Sequence, residues 1–76
     1  MKGTPTGVVA NVKAELARRG VLQSTVGDWL GLTQSAVSRR LVGEVEFTAS
    51  ELQTLARNLG VSIVLLYGDD AQAVPA

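Results

Sequence analysis

The sequence predicts an all-α fold, a compact bundle of about five short helices, and three observations carry that expectation. Apolar residues recur at helical spacing rather than alternating: Val9, Val12 and Leu16, then Val26 and Leu30, then Leu52, Leu55, Ala56 and Leu59. Glycines follow these stretches at Gly20, Gly31, Gly43, Gly60 and Gly68, where a helix end favours permissive backbone. Hydroxyl residues stand just ahead of three of them, at Thr33, Thr48 and Ser62, where a side-chain oxygen can accept an orphan amide. The expected core is Val12, Leu16, Val26, Leu30, Val37, Leu41, Leu52, Leu55, Leu59 and Leu66.

Residues 1–7 hold glycine and proline and no apolar anchor, and they read as a mobile N-terminal arm. Thr4, before Pro5, and Thr6 are the two candidate caps for the first helix. That helix is expected from about Val8 to Arg19, with Val8 and Ala17 beside its apolar stripe. Arg18 and Arg19 fall in its last turn, where they favour the helix dipole.

The second helix opens at Gln23 and carries Val26 and Leu30 on one face, with Trp29 flanking the core. Leu22 precedes it, so its start either lacks a side-chain cap or shifts to Ser24. Gly31 ends it, Leu32 follows as an apolar plug, and Thr33 caps a third helix running from Gln34 to about Val42. Thr48 and Glu51 have the spacing of a capping box, with Phe47 and Leu52 placed for a hydrophobic staple. They open a fourth helix that ends at Gly60. Ser62 can cap a last short helix, Ile63 to Tyr67, although this aliphatic run also fits a strand. Residues 69–76 read as a disordered tail, leaving one domain over 8–68.

A short helix, a glycine turn and a second helix with a polar leading edge make a helix-turn-helix pattern over Gln23 to Gly43. This stretch resembles the helix-turn-helix of the lambda-repressor and Cro-like (XRE-type) family, and phage repressors in particular. Gln23 opens the first motif helix as in that family, Gly27 is the small residue at the helix crossing where alanine is commoner, and Gly31 occupies the turn. Val37 matches the aliphatic anchor of the second motif helix, and Thr33-Gln34-Ser35 looks like the start of a recognition helix. The resemblance runs from about Val8 to Tyr67. It implies a sequence-specific transcriptional regulator that occupies double-stranded operator DNA. It also departs in places: the residue before Gln23 is Leu22 rather than Ser or Thr, and Arg40 stands where the family usually packs an apolar residue.

With 76 residues the chain is one small domain. It has no cysteine and no histidine, which removes disulfides and the commonest metal ligands and general bases. No Gly-rich strand-to-helix loop and no fixed carboxylate pair is visible either. The reading is therefore no catalytic residue, no metal and no small-molecule cofactor. No apolar run approaches the roughly 18 residues of a membrane span, and no secretory signal opens the chain. A cytoplasmic protein of a bacterium or phage-infected cell, acting at the nucleoid, is expected.

Net charge is zero, but the charges are segregated. Residues 1–43 carry six basic side chains against Glu15 and Asp28, a net +4, while residues 44–76 carry Arg57 against five carboxylates, a net −4. The positive half contains the helix-turn-helix.

At about 100° per residue, Gln34, Ser35, Ser38, Arg39 and Val42 share one arc of the third helix, and Val37 and Leu41 fall to the other side of its edge. Gln34, Ser35, Ser38 and Arg39 are the candidates to contact bases, since Gln can pair with adenine and Arg with guanine in the major groove. Candidate DNA-backbone contacts are Gln23, Ser24 and Thr25, whose helix start can hold a phosphate, with Thr33, Lys13, Arg18 and Arg19. A guanidinium at Arg40 must snorkel out or pair with a carboxylate such as Glu44, so Arg40 joins them as a candidate phosphate ligand. The loop Gly43 to Phe47 carries Glu44 and Glu46 and is expected to make no phosphate contact.

Two other functions fit the same fold: an antitoxin that binds a toxin and its own promoter, and a protein-interaction module that has lost DNA binding. Relatives often pair through the C-terminal end. Val64, Leu65 and Tyr67 leave the last helix apolar on all sides, so a homodimer through these residues is expected, and DNA can be needed to populate it.

Overall fold

The computed structural model describes residues 7–68. The arm 1–6, with Lys2, Thr4, Pro5 and Thr6, and the tail 69–76 lie outside the described residues. Five helices follow one another: α1 (Gly7–Arg19), α2 (Gln23–Leu30), α3 (Gln34–Leu41), α4 (Ala49–Leu59) and α5 (Ile63–Tyr67). No strand occurs among the described residues. The last run is thus a helix, and Ser62 caps it by accepting the Val64 amide at 3.2 Å.

The local signals account for most helix boundaries. Thr33 Oγ1 accepts the Ala36 amide at 3.1 Å and starts α3. Thr48 accepts the Glu51 amide at 3.0 Å, and Glu51 accepts the Thr48 amide at 3.0 Å, the full reciprocal box. At α2 the first alternative holds: the helix starts at Gln23, and Leu22 contributes no side-chain cap. Gly31 closes α2 in the left-handed region at φ 69°, which costs a residue with a Cβ roughly 1–2 kcal/mol.

Helix α1 packs on α5 and α3, α2 packs on α3 and α4, and α4 packs on α5. Nine of the ten expected core residues are buried, with Ala56 as a tenth member. Leu30 is only half-buried and packs against the core edge, beside Trp29 and Phe47. Ala17 is exposed, and the α1 position that goes under instead is Glu15, 4% exposed.

Two contacts close the bundle. Asn11 Nδ2 in α1 donates to the Leu66 carbonyl at 3.1 Å, satisfying one of the last acceptors of α5. At the crossing of α2 with the turn, a Cβ built on Gly27 would stand 2.8 Å from the Leu32 carbonyl oxygen. The Gly27 carbonyl itself accepts the Leu32 amide at 2.9 Å. The turn is therefore drawn in against α2 more closely than an alanine would allow.

Candidate nucleic-acid interface

Helix α3 is short, and its two faces differ sharply. Val37 and Leu41 are buried. Gln34, Ser35 and Arg39 are exposed, Ser38 is half-buried, and Val42, the C-terminal cap, is 57% exposed. Among the described residues Arg39 forms no ion pair. Its carbonyl accepts the Glu44 amide at 2.9 Å and the Val45 amide at 3.3 Å, which folds the following loop back on the helix end. Glu44 and Glu46 in that loop are exposed.

Around α3 the expected backbone contacts fall into separate groups. Lys13 of α1, Gln23 at the start of α2 and Ser38 of α3 line one shallow depression with the buried Leu16 and Leu41. Lys13 has no carboxylate partner among the described residues. Three of the four described N-caps bond an amide through a side chain, and α2 alone does not. Its first amides, at Gln23, Ser24 and Thr25, therefore keep the partial positive charge of an unfilled helix start. Thr33 spends one oxygen lone pair on its cap and keeps its hydroxyl hydrogen to donate.

Arg18 and Arg19 are arranged differently. Both bond the buried Glu15 carboxylate, Arg18 through Nη1 to Oε2 and Arg19 through Nε to Oε1 at 3.1 Å. Their side chains remain 63% and 40% exposed. The triplet carries one net positive charge in place of two. The i, i+3 and i, i+4 spacing of Glu15 to these arginines was a readable signal, but it did not indicate that the carboxylate would be buried.

Arg40 requires a correction. Its partner is Glu51, not Glu44, and its guanidinium faces α4 rather than solvent. Nε donates to Glu51 Oε1 at 2.9 Å and Nη2 to Oε2 at 3.1 Å, while Nη1 donates to the Ala36 carbonyl at 3.1 Å. Both side chains are about 15% exposed, at 14% and 15%. A guanidinium held in this way has few donors left for a phosphate.

Burial raises the pKa of the Glu51 carboxyl, but the hydrogen bond from Arg40, the Thr48 amide and the Arg40 charge outweigh it. The group is held below its ordinary value of 4.5. Because the native pKa is depressed, the stability this carboxylate contributes is full above the unfolded value. It is lost as pH falls through the lower native one. The wild-type melting temperature is expected to fall more steeply below about pH 4.5 than that of Glu51→Gln. Parallel melting curves in that range would show that Glu51 contributes no such stability.

No group of metal-ligating side chains occurs among the described residues. No helix there is long and apolar enough to cross a membrane. Two helices joined by a glycine turn, the second with a buried apolar face and an exposed polar one, define a helix-turn-helix protein. A helix-turn-helix family model matches residues 12–66, most of the chain. The chain belongs to this family, the XRE-type helix-turn-helix proteins of lambda-repressor and Cro-like kind, and is a DNA-binding regulator of that class. Comparison with curated proteins and with solved structures returned no match.

Proposed function

We propose that the protein is a sequence-specific transcriptional regulator of phage repressor or Cro type that occupies operator DNA through α3. The observation that carries this reading is the division of α3. Val37 and Leu41 are buried while Ser35 and Arg39 stand exposed on the far side and Gln34 is exposed at the leading end of the helix. The major groove admits one helix and presents a distinct donor–acceptor pattern for each base pair. Gln34, Ser35 and Arg39 are the base readers, and Ser38, lower on the same arc, reaches bases or the adjoining strand. Lys13, Gln23, Ser24, Thr25 and Thr33 take phosphates. Arg18 and Arg19 contribute a weaker field, since Glu15 offsets half their charge, and Arg40 leaves the phosphate set.

Selection from a random duplex pool, followed by titration of the selected and a scrambled duplex over a range of salt, tests the reading. Preference for the selected duplex supports it; equal affinity for both overturns it. In the same titration Lys13→Ala is expected to lower the magnitude of the log–log salt slope by about 0.9, the value for one lost phosphate contact. Arg18→Ala and Arg19→Ala should each lower it by less. A slope unchanged by Lys13→Ala would remove that residue from the contact set.

One motif of this size covers a half-site, which gives little discrimination against a genome of competing sites. Val64 and Leu65 are 54% and 46% exposed and adjacent on α5. They supply the apolar surface for a homodimer whose two recognition helices would stand about 34–36 Å apart on one face of the duplex. Tyr67 is half-buried against the core and forms only the edge of this surface. Sedimentation with a two-half-site duplex is expected to show two chains per duplex for the wild type and one for Val64→Glu/Leu65→Glu. Identical stoichiometry for both would place the interface elsewhere.

A further inference from the structure

The Arg40–Glu51 pair does more than neutralise two charges. Helix α3 has two buried apolar anchors, Val37 and Leu41. They are four residues apart, so they lie nearly along one line parallel to the helix axis. Two points on such a line fix where the helix sits but leave it free to roll about that line. Arg40 lies about 60° round the helix from Val37 and about 100° from Leu41, well off the line. Among the described residues, its bonds to Glu51 are the side-chain hydrogen bonds that join α3 to α4. At one end the guanidinium is tied to its own helix through the Ala36 carbonyl. At the other, Glu51 is tied to the Thr48 amide, so the far partner is anchored in the first turn of α4.

We propose that Arg40 is a positioning residue for DNA recognition: its pairing with Glu51 fixes the roll of α3, so that discrimination between sequences depends on a side chain that touches no base. The inference rests on the proposed DNA reading. Its physical basis is the short range of base contacts. A roll of about 10° about that line moves a tip on the far side, roughly 10–12 Å away across the helix, by about 2 Å. That is enough to break a bidentate contact, which tolerates only a few tenths of an ångström. Phosphate contacts from Lys13 and the α2 amides come from other helices and are indifferent to this roll. The pair should therefore govern preference and leave general affinity alone.

The variant Arg40→Met/Glu51→Gln tests this without unfolding the protein. Methionine keeps an apolar stem, glutamine at the third helical position still completes the capping box, and removing both charges leaves neither one buried alone. The expected result has three parts. The melting temperature stays within a few degrees of wild type. Affinity for scrambled duplex is unchanged while the selected-over-scrambled ratio falls about tenfold. Amide exchange over residues 37–42 speeds up about tenfold, with α1 and α4 unaffected. Arg40→Lys, which keeps the charge but not the two-pronged geometry, is expected to show the same loss of ratio. If the ratio and the local exchange match wild type, or if exchange rises evenly in every helix as the melting temperature falls, the positioning role is overturned. If the wild type itself shows no sequence preference, the DNA reading fails. Faster exchange confined to α3 would then still establish the pair as the device that holds this helix.

Discussion

Leu55→Ala is expected to lower the stability of the domain by about 2–5 kcal/mol, enough to bring it close to unfolding at physiological temperature. Leu55 is, with Leu66, one of the two largest fully buried side chains, at 0% exposure. It lies on α4, which packs against both α2 and α5. Truncation removes the transfer free energy of the lost methyls and leaves a cavity that the neighbours fill only in part. A domain of this size buries roughly 60% of its unfolded surface and has little stability in reserve. Each kilocalorie corresponds to about 4–8 °C in a domain of 60–100 residues, so the melting temperature should drop by roughly 8–40 °C. Val64→Ala, on the exposed face of α5, is the control and should change stability by less than about 0.5 kcal/mol. Thermal unfolding followed by circular dichroism measures both. A drop for Leu55→Ala no larger than for Val64→Ala would show that the core does not centre on α4.

The second large effect is on DNA. Replacing Gln34 or Arg39 with alanine is expected to cost about 1–3 kcal/mol at the selected site, roughly five- to 150-fold in affinity. Scrambled DNA should respond differently to the two. Gln34→Ala removes no charge and should leave binding to scrambled duplex unchanged. Arg39→Ala removes a cation from the DNA-facing side and should weaken scrambled binding slightly, by much less than it weakens the selected site. Each variant should also relax preference at one base position, since a bidentate pair is what discriminates there. Titration against a panel of single-position duplexes is the measurement. Equal losses on selected and scrambled DNA would return both side chains to the status of ordinary solvated residues.

These expectations draw on parts of the chain that differed in how readily the sequence exposed them. The five helices were legible because their signals are local. Thr33 reaches an amide three residues on, Thr48 and Glu51 cap each other across the same interval, and Gly31 and Gly60 provide the left-handed backbone that ends a helix. The outward arc of α3 was legible for a related reason. Helical periodicity sends Val37 and Leu41 inward and Ser35 and Arg39 outward, while Gln34, close to Leu41 in angle, is exposed because it opens the helix.

What the one-dimensional pattern did not contain is which distant groups meet. Arg40 and Glu51 are eleven residues apart, and Asn11 and Leu66 fifty-five. Each pair forms only once separate helices have packed. Arg40, at an inward position of α3, read either as snorkelling out to a phosphate or as pairing with a carboxylate such as Glu44, and local sequence could not choose between them. Its pairing depends on α4 returning the Glu51 carboxylate to the back of α3. Glu15 was missed for the complementary reason: its spacing to Arg18 and Arg19 is local, but its burial is set by neighbouring helices. Caps, turns and apolar faces are decided within a few residues by backbone geometry and side-chain reach. Which charged side chains are buried, and whether a partner such as Glu51 reaches Arg40, is decided by the packed arrangement, because a charge can be buried only where an opposite charge stands beside it.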